Sequence, residues 1–369
     1  MRIPITGMSW TTALGDDLRA VWERLLRAES GMAPVAHTAR LRNSLAGAVP
    51  SISEQLPPGE RMLQMGRGAL QRVLDEAGCR ADDPQLHLVV GTSLGAYLEG
   101  ENDRRSLSAW ADNLAANLGM KQPPVVVSTA CSSGSDAILI GAELIRSGGA
   151  RRCVCGGVDI LTLSKRLAHT ALGTMSPTIL RAFDIRHDGT LLGEGAAFVM
   201  LDAEPASAPP IGYLRGCGAA NDATGMTAAD AEGRGAQFAI QRSLADAGLD
   251  AQAIDLVNAH GSGTPMNDAT ERAGFARVFG KSARPLVFAT KGNFGHTLGA
   301  TGAIETVALL LALQTGQVPP VYGLEQPDPE FDLPLAYPGV QQAPSRIGLN
   351  LTLGFGGFDT SLILEGVAS

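Results

Sequence analysis

Cysteine is scarce in this sequence and has no pairing pattern. The 369 residues hold five, at positions 79, 131, 153, 155 and 217, with no Cys-x-x-Cys pair and no histidine at zinc spacing. That argues against a disulfide framework or a structural metal module, so no metal is expected and a reducing compartment fits. An excess of positive charge is also missing. With 29 Lys and Arg against 37 Asp and Glu, the net charge is −8, the opposite of a nucleic-acid binder's balance. Long apolar runs are absent as well, since the greasiest helical stretch, Ala303 to Leu313, is interrupted by Glu305. The opening MRIPITGMSW has no apolar block of a secretory leader. We therefore expect a soluble cytoplasmic protein that engages neither nucleic acid nor a membrane.

What the chain does have is glycine, 45 residues of it, distributed among short apolar strands and Ala-rich helices. Strand and helix patterns alternate along the whole length, which favours a layered α/β architecture. Strands are expected near Arg2–Thr6, Leu86–Val90, Arg152–Ile160, Ala196–Leu201, Ile211–Ala219, Leu286–Ala289, Ile347–Leu353 and Thr360–Glu365, and another carries LVNAHG. Helices are expected near 16–27, 60–77, 106–118, 235–247, 268–279 and 299–314. The segment DAEPASAPP interrupts this pattern and reads as a connector. It separates an N-terminal half, residues 1–204, from a C-terminal half, residues 211–369, with the connector at 205–210. The halves repeat each other: VVVSTACSSGSDAILIGAEL parallels VFATKGNFGHTLGATGAIETVALLL, and each is followed by a Gly-x-Gly turn and an apolar strand. Cys131 lies 64 residues ahead of Gly195, and His296 lies 60 ahead of Gly356. A duplicated α/β unit explains both the length and the repeat.

Within VVVSTACSSGSDAILIGAELI, three valines end a strand and Ala137, Ile138, Gly141, Ala142 and Ile145 mark one face of a helix. Cys131 stands where that helix begins, beside unpaired N–H groups and the positive end of the macrodipole. The dipole by itself lowers a thiol by about 0.5–1.5 units from ~8.5. A nucleophile and a small buried apolar cysteine are both open readings at this point.

Three Gly-rich turns collect the remaining reactive side chains: STACSSG with Cys131, NAHGSGTP with His260, and KGNFGHTLG with Lys291 and His296. One cysteine and two histidines, each in a tight turn after a strand, suggest acyl transfer through a thioester. His37, His87, His169 and His187 read as background.

These turns, together with RAFDIRHDGTLLGEGAAFVML and the late GFGG, resemble the β-ketoacyl-acyl carrier protein synthases in the right order over nearly the whole chain. The resemblance implies a thiolase-like fold of duplicated halves layered α-β-α-β-α. It also implies decarboxylative condensation, as follows. Cys131 takes an acyl chain as a thioester, and His260 and His296 stabilise the enolate left when malonyl-carrier protein loses CO2. Backbone N–H groups of Cys131 and Phe355 form a second oxyanion hole. Lys291 holds the site with Glu305 as its buried partner. Thr227 and Thr264 line the malonyl and pantetheine side, and Leu94 gates the acyl pocket. No cofactor is implied beyond the phosphopantetheine of acyl carrier protein. The partners implied are that carrier protein and a second subunit, identical or related.

Departures from the family pattern are also visible. The stretch between GTSLGA and Cys131 is short, HGSGTP has Ser262 where Thr is usual, and His187 replaces Arg. Phe358 and Asp359 stand where Thr-Asn is usual. They point to a specialised fatty-acid, polyketide or polyene pathway. Two alternatives are a non-catalytic chain-length partner, which typically lacks the cysteine, and a non-decarboxylating thiolase-like acyltransferase. Arg61, Arg67 and Arg72, on one expected helix, are candidate contacts for the acidic carrier protein.

Overall fold

The computed structural model describes residues 2–36, 39–99, 106–204, 206 and 208–367. His37, and positions 205 and 207 of the expected connector, lie outside the described residues. Ten strands form the main sheet: β1 (Ile3–Thr11), β2 (Leu86–Gly91), β3 (Val125–Val127), β4 (Arg152–Asp159) and β5 (Gly195–Asp202) in the first half, then β6 (Gly212–Asn221), β7 (Leu256–Asn258), β8 (Leu286–Phe288), β9 (Ile347–Gly354) and β10 (Phe358–Gly366) in the second. The helices that carry the argument are α1 (Pro58–Glu76), α2 (Ser133–Arg146), α3 (Leu163–Ala171), α4 (Arg234–Ala247), α5 (Pro265–Phe279) and α6 (Thr301–Thr315).

The spatial order is β8-β7-β9-β10-β6-β1-β5-β4-β2-β3. Each half therefore runs third, second, fourth, fifth, first, with the same senses: parallel among the first three strands of that order, antiparallel for the last two pairings. The duplication expected from the sequence is real in topology. The halves join edge to edge through an antiparallel pairing of β1 with β6, from Ile3↔Leu214 to Ile5↔Gly212.

The layers follow from which faces each helix buries. α6 is buried from Thr301 through Leu313 on every side, the signature of a helix with no solvent face. It lies with α2 between the two halves of the sheet, each touching strands of both. Among the described residues, the stretch Leu298–Thr315 is the one whose length and apolarity would suit a membrane; here 89% of it is enclosed by the protein itself. Small residues let the two helices approach. A Cβ added at Gly134 would come 2.9 Å from the carbonyl oxygen of Gly299. α1 covers the outer face of β1, β4 and β5, while α4, backed by α5, covers β6 and β10. The order is α-β-α-β-α, the thiolase-like arrangement.

Some expectations shift. The first strand extends to Thr11 rather than Thr6, because it pairs with β5 along Met8–Thr11 as well as with β6. Helix α3 was not anticipated; Thr162 caps it by accepting from the Lys165 N–H at 3.3 Å. Arg61 and Arg72 are not free docking residues. Arg61 sits on the inward stripe of α1 with Met65, Ala69 and Val73, is 7% exposed, and pairs with the buried Glu194 carboxylate. Arg72 donates to the carbonyl oxygen of Trp10 at 2.8 Å and to the hydroxyl of Thr11 at 2.5 Å. Arg67 alone of the three is exposed. Arg61→Ala, which strands the Glu194 charge, is expected to lower stability by about 3 kcal/mol, read as a drop in Tm, whereas Arg67→Glu leaves Tm unchanged.

Candidate active site

β3 delivers the chain into a turn of 3-10 helix, Ala130–Ser132, from which α2 springs. Ala130 is held at φ +53°, a left-handed conformation unfavourable for a residue with a Cβ. The second half repeats the device: the 3-10 turn Leu298–Ala300 precedes α6, and Leu298 is also at φ +53°. The structural counterpart of Cys131 is therefore Gly299, not His296 as the sequence spacing suggested. The repeat places this turn position in both halves, and only the first is filled by a thiol.

Cys131 is buried, and burial pushes its thiol up to about 11. This reverses the expected direction. Desolvation outweighs the opposing influences, chiefly the Lys291 charge and the Phe355 backbone N–H that faces the sulfur. The thiol is thus the resting form, with the Lys291 charge and the Phe355 N–H as the groups that favour negative charge on the sulfur.

Lys291 begins a short helix, Lys291–Phe294, after β8. Its ammonium has three acceptors for three protons: His260 Nδ1 at 3.2 Å, the His260 carbonyl oxygen, and Glu305 Oε1 from α6. Glu305 is 1% exposed, as expected of a buried partner, and burial pushes it up to about 7 against the pull of Lys291. Because Lys291 donates toward His260 Nδ1, the proton of the neutral His260 ring sits on Nε2. At His296, Nδ1 accepts the Leu298 N–H at 3.2 Å, which puts that ring's proton on Nε2 as well. Burial first and Lys291 second drive both imidazoles well below the ordinary histidine value, so both are neutral. Their rings lie 5.2 Å apart, nearly perpendicular at 85°. The result is a pair of neutral N–H donors backed by one buried cation.

Cys131, His260 and His296 open onto one cleft of about 380 Å³, together with Thr227, Thr264 and Phe355. Thr264 also caps α5, accepting the Asn267 N–H at 3.3 Å, so its turn role and its place in the cleft coexist. Thr227 is exposed. Leu94 does not line this cleft: its side chain is 40% exposed on the turn that leaves β2. Lys291 and Glu305 stand behind the histidines rather than in the cleft.

Sequence reading passed over three participants. His169, on α3, lines the cleft and stacks on Phe355 with centroids 5.7 Å apart and planes 18° apart. Burial pushes it down to about 4. Nothing in its immediate sequence marks it. Glu271 of α5 accepts the N–H groups of His260 and Gly261, both at 2.7 Å, and fixes that turn. Asp268 accepts the Phe183 N–H at 2.7 Å and pairs with His187 Nδ1 at 2.8 Å. The spacing of Asp268 and Glu271 after the HGSGTP turn, on the face of a Thr-capped helix, was the available signal. Among the described residues no group of three His, Cys, Asp or Glu side chains is arranged to hold a metal ion.

Residues 1–206 match the family described as beta-ketoacyl synthase, N-terminal domain, and residues 211–325 its C-terminal domain. Nodulation protein E of Rhizobium meliloti (strain 1021) is 29% identical over 401 residues, covering 99% of each chain. A 3-oxoacyl-[acyl-carrier-protein] synthase 2 of Synechocystis is 29% identical over 407 residues, covering 99% of this chain and 98% of that one. Among solved structures, the ishigamide ketosynthase/chain length factor superposes with a TM-score of 0.90 at 27% identity, covering 100% of this chain and 99% of that one.

Proposed function

Because this chain belongs to the beta-ketoacyl synthase family, we propose that the cleft carries out decarboxylative condensation with Cys131, His260 and His296 as its catalytic residues. The chain is a condensing enzyme of fatty-acid or polyketide assembly. The reaction divides into two halves. First the Cys131 sulfur attacks an acyl thioester, the carrier's thiol leaves with the proton, and an acyl-Cys131 thioester remains. A malonyl thioester then loses CO2, and its enolate oxygen accepts from the two Nε2–H groups. The enolate carbon attacks the acyl carbonyl, whose oxygen meets the backbone N–H groups of Cys131 and Phe355. The C–S bond to Cys131 breaks and a β-ketoacyl thioester departs.

The observation that carries this reading is the pair of neutral Nε2–H donors and the thiol on one cleft, with Lys291 behind. Two N–H donors suit a developing enolate better than a general base, because both rings are held neutral and proton-bearing on the same nitrogen. Lys291 and Glu305 are positioning residues, and Thr227, Thr264 and Phe355 border the path of the substrate arm. The substrates ride on the phosphopantetheine of acyl carrier protein, with no further cofactor, in the cytoplasm. The active species is a dimer with an identical or a related subunit, and the two halves of each chain meet at the 205–210 connector. The departures at Ser262, His187, Phe358 and Asp359 favour a specialised pathway.

Purified protein incubated with acyl- and malonyl-carrier proteins, alone and with a related subunit, is expected to release CO2 and a β-ketoacyl product. Absence of product in both settings refutes the assignment.

A further inference from the structure

Asp359, the second residue of β10, lines the cleft that holds Cys131. It is 4% exposed, and its carboxyl has no hydrogen-bond or ion-pair partner among the described residues. The ionisable groups around it are almost all of one sign. Asp222 stands on the turn after β6, Asp230 just ahead of α4, and Glu271 on α5, while Asp188 lines the same cleft. The nearby cation on α4, Arg234, is taken up by Asp230 at 2.9 Å. The Asp222 oxygens already accept the N–H groups of Thr224 and Asp230, both at 2.9 Å. On the α4 side the backbone presses in: a Cβ added at Gly235 would fall 2.1 Å from Asp359 Oδ2. The carboxyl thus lies between the start of α4 and the cleft that it lines.

A buried carboxylate ringed by carboxylates, with no cation, is strongly disfavoured, and a bound proton relieves it. Burial first, then Asp222, Glu271 and Asp230, push Asp359 up to about 8. In that form the side chain is a hydrogen-bond donor rather than an acceptor-only anion.

We propose that Asp359 is a substrate-binding residue that keeps its proton and donates it, as an O–H hydrogen bond, to an amide carbonyl oxygen of the pantetheine arm. This rests on the reading of the cleft as the entrance for that arm. It places the selectivity of the cleft wall on a proton: the arm binds when Asp359 is neutral and is rejected when it ionises.

The test is the Kd of free pantetheine for wild type and D359N from pH 6 to 9.5. In wild type, Kd is expected to be flat at the acid end and to rise about tenfold per pH unit above ~8, as the competent fraction falls. D359N is expected to bind without that alkaline rise. Glu271, also pushed up to about 8, is intact in D359N, so its titration is separated from that of Asp359. A flat wild-type profile, an alkaline rise that survives in D359N, binding that tightens with pH, or no saturable binding at any pH each overturns the proposal. Thermal stability gives a second readout. The unfolded chain releases this proton near 3.8 and the folded chain near 8, so wild type loses stability across that window as pH rises, and D359N loses less of it, because Glu271 and Glu305 still titrate there. Equal pH dependence of Tm in the two proteins also overturns it. Acyl transfer to Cys131 from carrier protein, measured alongside, reports on the condensing reading separately: if it persists while the pH profile fails, only the Asp359 proposal falls.

Discussion

Cys131→Ala is expected to take up no acyl group. Intact mass after incubation with a panel of acyl-carrier proteins should rise by one acyl unit in wild type and stay unchanged in the variant, with condensation down by about 10⁴-fold or more. The side chain is small and buried, and the change removes one atom, so the variant should fold with near wild-type Tm. The same panel, spanning saturated, unsaturated and aryl-primed donors, also reports which chain the site prefers. An adduct of equal mass in the variant would place the acyl group on another residue. Product formation by Cys131→Ala in a complex with a related subunit would support the non-catalytic chain-length reading.

The second large effect separates acylation from condensation. His260→Ala and His296→Ala each remove one Nε2–H donor from the enolate site, and each is expected to slow condensation by about 10²–10³-fold. Acylation of Cys131 should survive in both, because the Phe355 N–H and the Lys291 charge that favour the developing thiolate remain. The pH profile supplies a control. Burial and Lys291 hold both rings well below the ordinary histidine value, so any inflection of condensation near neutral pH should belong to Glu305, at about 7, and disappear in Glu305→Gln rather than report a histidine. Loss of acylation together with condensation in both variants would instead make the histidines bases for the thiol.

Cys131, His260, Lys291, His296 and Glu305 were legible because each stands in or beside a short turn whose glycines require close backbone approach, or on a helix too apolar for a solvated charge. The structure brings all five together. Arg61 was misread as a docking residue although its spacing from Met65 and Ala69 already put it on the inward stripe. Its charge suggested solvent, and what overrides that is Glu194, which lies 133 residues away in the chain. Leu94 differs for a related reason: its turn could be located in the sequence, but that its side chain would stand exposed outside the cleft of Cys131 could not.

The sequence by itself determined the alternation of strands and helices, the duplication, and the order of the three reactive turns, because these depend on periodicity and turn chemistry within a few residues. Tertiary structure alone decided the protonation of the site. The thiol at about 11, the neutral histidines and the carboxyl of Asp359 at about 8 depend on burial and on charges from distant segments. It also decided that Gly299 is the counterpart of Cys131, since that equivalence rests on backbone conformation, φ +53° at Ala130 and at Leu298, rather than on residue type. Local pattern sets what each segment becomes, whereas desolvation and Coulomb terms are sums over neighbours that only the folded chain brings together.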